Sequence, residues 1–419
     1  MKNPFPKKNP NKPKGRKRKP SLPKRPTTPI KKFLSFVIKW TGITINVAIK
    51  CALLLPIPIF LLWYSYTVDR NGWFQGEQYE REIALATLDG KPISNFEKME
   101  EREITKLYAQ NLSQPLKAIS IGSSRVLQLT SSIAGTDSFF NAGMIGAEQP
   151  DVMSSYYLFD RADKIPEIVI FEVDPWIFST APDATTYRRV DWKMYNDFLY
   201  YGLGHDVEVT TEQENMNFWL SLTSPAFFQE NLEYYIQNKE TGMRPQIVKG
   251  DVYQQSNDVK MPDGSVLYPD SMRSATVEEV DNIALNAITN SFVNCEEFYQ
   301  MDSNLIALFD EFVSYMQAKG SQVVLLLTPY HSVVYQKVLE QPERYSGFFQ
   351  VETWLRQYAL DHNLSLYGSY DPQAVGCTSE DFFDGWHVKG SGISKFFPGV
   401  SSLAPYSPPQ DSSALHRLP

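Results

Sequence analysis

The chain has 419 residues, of which 42% are hydrophobic, and carries a formal net charge of −8 at pH 7. Residues 1–32 hold ten Lys, three Arg and no acidic residue, so residues 33–419 hold 27 basic and 48 acidic side chains, or −21. So acidic a body excludes nucleic acid as the expected partner, and three cysteines without a C-x-x-C or Cys/His cluster give no zinc motif and no cofactor.

The first 68 residues predict a membrane anchor. Residues 1–32 are rich in Lys, Arg and Pro and cannot bury a core, which predicts a disordered basic cytoplasmic arm. Residues 33–68 are predicted to form the anchor, with the span at about 47–66, the length that a bilayer requires. No small-x-small cleavage site follows, which favours an uncleaved single-pass signal anchor over a signal peptide. Basic residues before the span and acidic residues after it predict a cytoplasmic N-terminus and an extracytoplasmic body.

Beyond a polar neck at 69–115, the body at 116–397 has the rhythm of an α/β protein. Apolar, β-rich runs alternate with helix-forming segments, which predicts a parallel sheet covered on both faces. The strand predictions cover 118–121, 138–143, 168–171, 323–327 and 364–367, and the helix predictions include 304–319 and 351–362. Residues 180–300 break the rhythm and predict an aromatic, helical insertion, and residues 398–419 a disordered tail.

A serine lies at the turn that follows the first strand of the body. Gly122 ends the apolar run, and Val126 opens a pattern that predicts a helix. Free backbone N–H groups at such a turn can face a developing negative charge, and Ser124 can act as a nucleophile if a base reaches it. The alternative is that the serine only caps the helix.

Other polar residues follow the remaining strands of the predicted sheet. Parallel strands end at one edge of a sheet, where ligands bind. The residues at or just after such ends are Ser124, Gly146, Asp174, Tyr330, His331, Asp384 and His387. Asp384 would hold one imidazole nitrogen of His387 while the other faces Ser124, as in a catalytic triad. The N–H groups of Ser124 and Gly146 would then form an oxyanion hole.

Three short motifs resemble the SGNH/GDSL-like hydrolase and acyltransferase superfamily. The segment Gly122-Ser123-Ser124 is similar to its first block, Asn141-Ala-Gly-Met-Ile-Gly146 to its second, and Asp384-Gly-Trp-His387 to its last. The resemblance implies a flavodoxin-like three-layer α/β fold with a parallel sheet. It implies Ser124 as nucleophile, His387 as base and Asp384 as the residue that orients the base. The further oxyanion or binding candidates are Gly146, Asn141, Arg125, Asp174, Tyr330 and His331.

One block departs from the pattern of the family. Its third block, G-x-N-D, supplies an Asn that donates to the oxyanion, whereas this strand ends in Glu172-Val-Asp-Pro175. An ionised carboxylate cannot donate a hydrogen bond, so Asp174 is expected to pair with Arg125 instead. Arg125 is then either a substrate clamp or a salt-bridge partner, and His331 is either a structural histidine or a rival base.

The anchored topology and the G-S-S form are similar to DltD-type proteins of teichoic-acid D-alanylation and to polysaccharide O-acetylation proteins. We therefore expect an extracytoplasmic acyl-ester hydrolase or O-acyltransferase that acts on an envelope glycan or acylated polymer, with a membrane-bound acyltransferase as a further partner. The alternative is a catalytically silent scaffold of surface-polysaccharide assembly. An oxidising compartment would also permit a disulfide between Cys295 and Cys377.

Overall fold

The computed structural model describes residues 29–68, 78–96, 100–180, 191–207, 225–237, 245–290, 292, 295–296 and 298–403. Of the segments predicted to be disordered, 1–32 and 398–419, residues 1–28 and 404–419 lie outside the described residues, whereas residues 29–32 belong to a helix. The chain divides into two compact units, Met1–Phe60 and Leu61–Pro419.

The regular elements are named here in chain order. The helices are α1 (Pro29–Leu54), α2 (Pro56–Val68), α3 (Gln78–Leu88), α4 (Glu101–Asn111), α5 (Ser131–Ala134), α6 (Gln149–Arg161), α7 (Trp192–Asp197), α8 (Pro225–Gln237), α9 (Asp270–Arg273), α10 (Val277–Asn290), α11 (Ser303–Ala318), α12 (Ser332–Leu339), α13 (Ser346–Asp361) and α14 (Gly390–Phe396). The strands are β1 (Ile93–Ser94), β2 (Ala118–Ile121), β3 (Phe139–Asn141), β4 (Ile168–Glu172), β5 (Gln246–Ile247), β6 (Val259–Lys260), β7 (Val266–Leu267), β8 (Gln322–Leu327) and β9 (Ser365–Gly368).

A long apolar helical stretch begins the described chain. The segment Phe36–Val68 has 33 residues and contains an 18-residue window with a mean hydropathy of 2.2, so it is long and apolar enough to cross a membrane. Pro56 lacks an N–H group, yet the helical hydrogen bonding resumes past it. The N–H of Leu55 donates to the carbonyl of Cys51 at 2.8 Å, and that of Ile59 to the carbonyl of Leu55 at 3.2 Å. The prediction of one apolar N-terminal helix is confirmed, and the helix begins well before the predicted span.

The main sheet has five parallel strands in the order β3-β2-β4-β8-β9. All five correspond to strands predicted from the sequence. When the five strands are numbered in sequence order, their order along the sheet is 2-1-3-4-5, which is the flavodoxin-like order of a doubly wound sheet. The strand order reverses between β2 and β4, and a crevice at the carboxyl ends of these two strands is the expected place for a ligand.

Both faces of this sheet are buried. Successive side chains of a strand point to opposite faces, so each strand contributes to two apolar clusters. Ile119, Val169 and Leu325 belong to one apolar cluster, and helices α4, α6, α11 and α13 cover it. The intervening side chains, such as Ile170 and Val324, belong to a second cluster on the opposite face, which includes residues of α14. Each fully buried aliphatic side chain contributes about 1.5–3 kcal/mol of transfer free energy, so the two clusters hold the three layers together.

The predicted neck is part of the body rather than a separate segment. Ile83 of α3 and Ile104 of α4 are at most 1% exposed and join the larger apolar cluster. The ring of Tyr108 stacks on Phe140 with centroids 3.7 Å apart. Strand β1 pairs with β5 and β6 of the insertion, so a second, antiparallel sheet of order β5-β1-β6-β7 joins the two regions. Because α3 and α4 contain many polar residues, their composition did not reveal that each helix has one apolar face, which is buried.

The insertion packs on the main sheet through the hairpin of β6 and β7. Its predicted Asp-Gly turn is confirmed, with Gly264 at φ +80°. A Cβ atom on Gly264 would lie 2.4 Å from the carbonyl oxygen of Asn141, so only glycine fits this contact. The N–H of Asn141 donates to the carbonyl of Asp263 at 2.7 Å. The hairpin therefore lies directly against β3.

Two further predictions are wrong. Cys295 and Cys377 are free thiols rather than a disulfide. Cys295 packs in the cluster on one face of the sheet and Cys377 in the cluster on the other, so the sheet separates them. The predicted tail starts too early, because Val400 is 6% exposed and packs in the second cluster. The described body continues to Leu403.

Candidate active site

The serine turn follows β2 directly. Gly122 has φ +149°, and a Cβ atom there would lie 2.6 Å from Oε2 of Glu172, so the turn requires glycine. Ser123 caps the next turn, since its Oγ accepts a hydrogen bond from the N–H of Arg125 at 3.2 Å. Residues Ser124–Val126 form a single 3₁₀ turn rather than the predicted helix. Ser124 thus lies at the first position of that turn, at the carboxyl end of β2.

Ser124, His387 and Asp384 form one hydrogen-bonded chain. The Oγ of Ser124 lies 2.9 Å from Nε2 of His387. The other ring nitrogen, Nδ1, lies 2.7 Å from Oδ2 of Asp384. The ionised carboxylate accepts from Nδ1–H, which leaves Nε2 free to accept the serine proton. The side chains of His387 and Asp384 are 21% and 18% exposed, so a ligand can reach the group from solvent.

The four-residue loop Asp384-Gly-Trp-His387 fixes its own carboxylate. Oδ1 of Asp384 accepts from the N–H of Trp386 at 2.7 Å and from the N–H of His387 at 2.8 Å. Burial alone would raise the pKa of Asp384, but the charge and hydrogen bond of His387, with these two N–H groups, hold the pKa below its ordinary value. The carboxylate therefore stays ionised at neutral pH and holds the imidazole in one orientation.

The second block of the motif lies against the serine turn. The N–H of Met144 donates to the carbonyl of Gly122 at 3.1 Å, and a Cβ on Gly143 would lie 3.1 Å from the carbonyl of Ser123. Gly146 has φ +62° in the turn that follows. Among the described residues, neither the N–H of Ser124 nor that of Gly146 donates to a protein acceptor. The role of these two N–H groups as oxyanion donors stays a prediction.

Asn141 has a structural role instead of a place among the oxyanion donors. Its Nδ2 donates to the carbonyls of Val126 at 2.7 Å and Leu129 at 2.9 Å. Its Oδ1 accepts from the N–H of Gly143 at 3.0 Å, and the residue is fully buried. Since both amide hydrogens are engaged, this side chain is not available to a ligand, and the prediction that it binds one is corrected.

Arg125 is a buried salt-bridge partner, and the substrate-clamp alternative is wrong. Its side chain is 1% exposed, and Nη1 donates to Oδ1 of Asp174 at 2.9 Å. The expected Arg125–Asp174 pair is therefore confirmed. Nε donates to the carbonyl of Trp386 at 3.2 Å. Nη2 donates to the carbonyls of Thr328 at 2.5 Å and Pro329 at 3.1 Å.

Glu172, which the sequence reasoning did not identify as a site residue, completes this cluster. The side chain is 1% exposed, and its carboxyl accepts from the N–H of Ser123 at 3.1 Å and from the hydroxyl of Thr328 at 2.9 Å. Burial and the adjacent Asp174 charge raise the pKa of Glu172 well above its usual range. Burial also raises the pKa of Asp174, but the adjacent Arg125 opposes that shift, and Asp174 rather than Glu172 accepts from the guanidinium. The proton of the pair therefore resides on Glu172.

The two remaining candidates, Tyr330 and His331, do not contact the serine. The ring of Tyr330 lies under the guanidinium of Arg125, with the centroid 3.8 Å from Cζ. His331 is fully buried, and its Nδ1 accepts from the N–H of Val333 at 3.2 Å to cap α12. Its Nε2 lies 3.2 Å from Oδ1 of Asp281 without hydrogen-bond geometry, and burial lowers the pKa of the ring. Of the two alternatives for His331, these contacts support a structural histidine and not a rival base.

The insertion also reaches the site through a residue that the sequence reasoning missed. The ring of Tyr268 meets that of His387 edge to face, with centroids 5.9 Å apart. Gln128, just past the serine turn, donates to the carbonyl of Val266 at 2.7 Å. The only sequence signal for this contact was the Asp-Gly turn of the hairpin, which gave no information on where the hairpin packs.

Comparisons with known proteins add no family. No protein-family model matches the chain, and a search of curated proteins finds no relative. Within the described ranges, no three His, Cys, Asp or Glu side chains are grouped so that they could hold a metal ion. The geometry of Ser124, His387 and Asp384 is therefore the basis for a functional inference.

Proposed function

We propose that the protein is a membrane-anchored, SGNH-like acyl-ester hydrolase or O-acyltransferase that uses Ser124 as its nucleophile. The observation that carries the proposal is the hydrogen-bonded chain from Ser124 through His387 to Asp384. It lies where the strand order of a parallel sheet reverses, the usual ligand crevice of such folds. A serine that only caps a turn would not require contact with an imidazole that a half-buried carboxylate orients.

The first half of the reaction forms an acyl enzyme. Oγ of Ser124 attacks the ester carbonyl carbon while its proton passes to Nε2 of His387. Asp384 stabilises the imidazolium, and the N–H groups of Ser124 and Gly146 bind the oxyanion. The tetrahedral intermediate then collapses, the ester C–O bond breaks, and the leaving alcohol takes the proton from His387.

The second half transfers the acyl group to an acceptor. His387 removes a proton from water or from a glycan hydroxyl, whose oxygen attacks the acyl carbon and releases Ser124 with its proton restored. Hydrolase and transferase differ only in this acceptor. An envelope glycan or acylated polymer is the expected acceptor, because basic residues before the apolar helix favour an orientation with the body outside the cytoplasm. A membrane-bound acyltransferase would fit as the donor of the acyl group.

Covalent labelling of the full chain in detergent tests the proposal. A fluorophosphonate probe should label the wild-type protein at one site, and Ser124→Ala should abolish the labelling. Ser132 is an exposed serine eight positions further along the chain, in α5, so Ser132→Ala is the matched control and should label like the wild type. The melting temperature of each variant shows whether it is folded.

A silent scaffold is the second candidate. Glu172 and Asp174 occupy the place of the family's third block, and neither supplies the amide donor of its Asn. This candidate predicts no labelling of a wild-type chain that melts cooperatively. Labelling that persists in Ser124→Ala would exclude Ser124 as the nucleophile.

A further inference from the structure

The side chain of Arg125 connects the serine turn to the ends of β4 and β8 and to the loop that carries His387. Arg125 directly follows Ser124. Its guanidinium donates to Asp174 after β4 and to the carbonyls of Thr328 and Pro329 after β8. Its fourth donor, Nε, reaches the carbonyl of Trp386, the residue before His387. One guanidinium thus bridges two strand ends and the loop that carries the base.

These contacts leave the guanidinium little freedom. Four of its five N–H donors point to fixed acceptors, three of them backbone carbonyls, and the side chain is 1% exposed. The ring of Tyr330 covers one face of it. Oδ1 of Asp174 accepts from Nη1 of Arg125 at 2.9 Å, so the carboxylate after β4 fixes one edge of the guanidinium. The planar guanidinium can donate to all four acceptors at once, whereas a lysine ammonium cannot reach all of them.

We infer that Arg125 is a positioning residue, which fixes the Trp386 carbonyl relative to the serine turn and thereby sets the distance between Ser124 and His387. The inference rests on the proposed function, since it assigns Arg125 a role in that reaction. The direct Ser124–His387 hydrogen bond cannot hold the two segments throughout the cycle, because the serine proton leaves when the acyl enzyme forms. The Arg125–Trp386 contact involves no reacting atom and persists through both halves.

Arg125→Lys in the full chain is the variant that tests this role, with p-nitrophenyl acetate as the substrate. The lysine keeps the positive charge beside Asp174 but loses the donor to Trp386. Misplaced catalytic groups lower the rate of the chemical step. We therefore expect kcat to fall by about tenfold to hundredfold while KM changes little. Hydrogen exchange of the backbone amides at 383–388 should become faster, because the loop loses its attachment.

Ser321→Ala is the control for a general loss of stability. Ser321 is fully buried at the opposite end of the sheet, where its Oγ donates to the carbonyl of Pro166 at 2.7 Å. This variant should melt at a lower temperature yet keep the wild-type kcat and the wild-type exchange at 383–388. If Arg125→Lys does not fold, Asp174→Asn keeps an acceptor for Nη1, removes the charge, and should show a smaller effect in the same direction.

The outcomes separate this inference from the proposed function. Wild-type exchange at 383–388 in a folded Arg125→Lys chain would overturn the positioning role, whatever its kcat. Equal losses of kcat in Arg125→Lys and Ser321→Ala would also overturn it. A wild-type chain that neither turns over ester nor reacts with fluorophosphonate would sink the proposed function alone, and the exchange rates would still show whether Arg125 holds the loop.

Discussion

The Oγ of Ser124 lies 2.9 Å from Nε2 of His387, although the two residues are 263 positions apart in the chain. Ser124 follows the first strand of the main sheet, and His387 follows the last in sequence. The N–H of Phe383 donates to the carbonyl of His387 at 2.9 Å, which closes the loop around the base. The contact therefore depends on the relative placement of two loops at the ends of parallel strands.

The two buried or half-buried histidines near the site should respond differently to alanine. His387→Ala should remove nearly all esterase activity, with a loss of about the same size as that of Ser124→Ala, because members of such a unit are not additive. His331→Ala should retain wild-type kcat in the folded fraction and lower the melting temperature, since it removes a buried cap of α12. Steady-state ester hydrolysis and thermal unfolding of both variants provide the comparison. A larger loss of kcat in His331→Ala than in His387→Ala would show that His331, and not His387, is the base.

Asp384→Asn should preserve the fold and lose activity. The asparagine oxygen can still accept from the N–H groups of Trp386 and His387, but its NH₂ group would face Nδ1 and favour the wrong imidazole tautomer. In a serine triad this exchange lowers kcat by about ten-thousandfold. The rate of fluorophosphonate labelling measures the loss, with the exposed Asp361→Asn as the control. Activity within about tenfold of the wild type would show that the carboxylate is not part of the mechanism.

Glu172→Gln should change how stability depends on pH. The folded protein keeps a proton on Glu172 that the unfolded chain releases, because burial raises the pKa of this carboxyl. The free energy of unfolding of the wild type should therefore fall as the pH rises above the ordinary glutamate range towards the raised pKa. Glutamine mimics the protonated acid, so its contribution should be independent of pH.

Melting temperatures of the full chain between about pH 5 and pH 8 test this difference. The wild type should lose stability relative to Glu172→Gln as the pH rises. Glu343 is exposed, and Glu343→Gln should follow the wild type at every pH. Parallel pH curves for the wild type and Glu172→Gln would mean that Glu172 does not hold the proton.

The orientation of the chain can be tested with reporter fusions. The thirteen basic residues in 1–32 precede the apolar helix, which predicts that everything beyond it is exported. Alkaline phosphatase fused after residue 100 should be active, and green fluorescent protein fused there should be dark. A fusion before α1, after residue 28, should give the opposite pair of results. Fluorescent fusions at both positions would place the body in the cytoplasm.

The sequence by itself determined the features that depend on neighbouring residues. Hydrophobic patterning along the chain predicted all five strands of the main sheet, because a strand buried on both faces needs a continuous apolar run. The Asp384-x-x-His387 spacing predicted the orientation of the base, since residues three apart in a tight loop meet without help from the rest of the fold. Gly122 and Gly264 marked turns for the same local reason.

Only the tertiary structure decided which distant groups share a burial site. Arg125 and Glu172 are charged residue types that are usually exposed, and each becomes buried because remote backbone carbonyls, hydroxyls and Asp174 replace the hydrogen bonds it loses from water. No local pattern records such partners. The same holds for the two cysteines, which the sheet keeps on opposite faces, and for α3 and α4, whose apolar sides meet a core assembled from residues far along the chain.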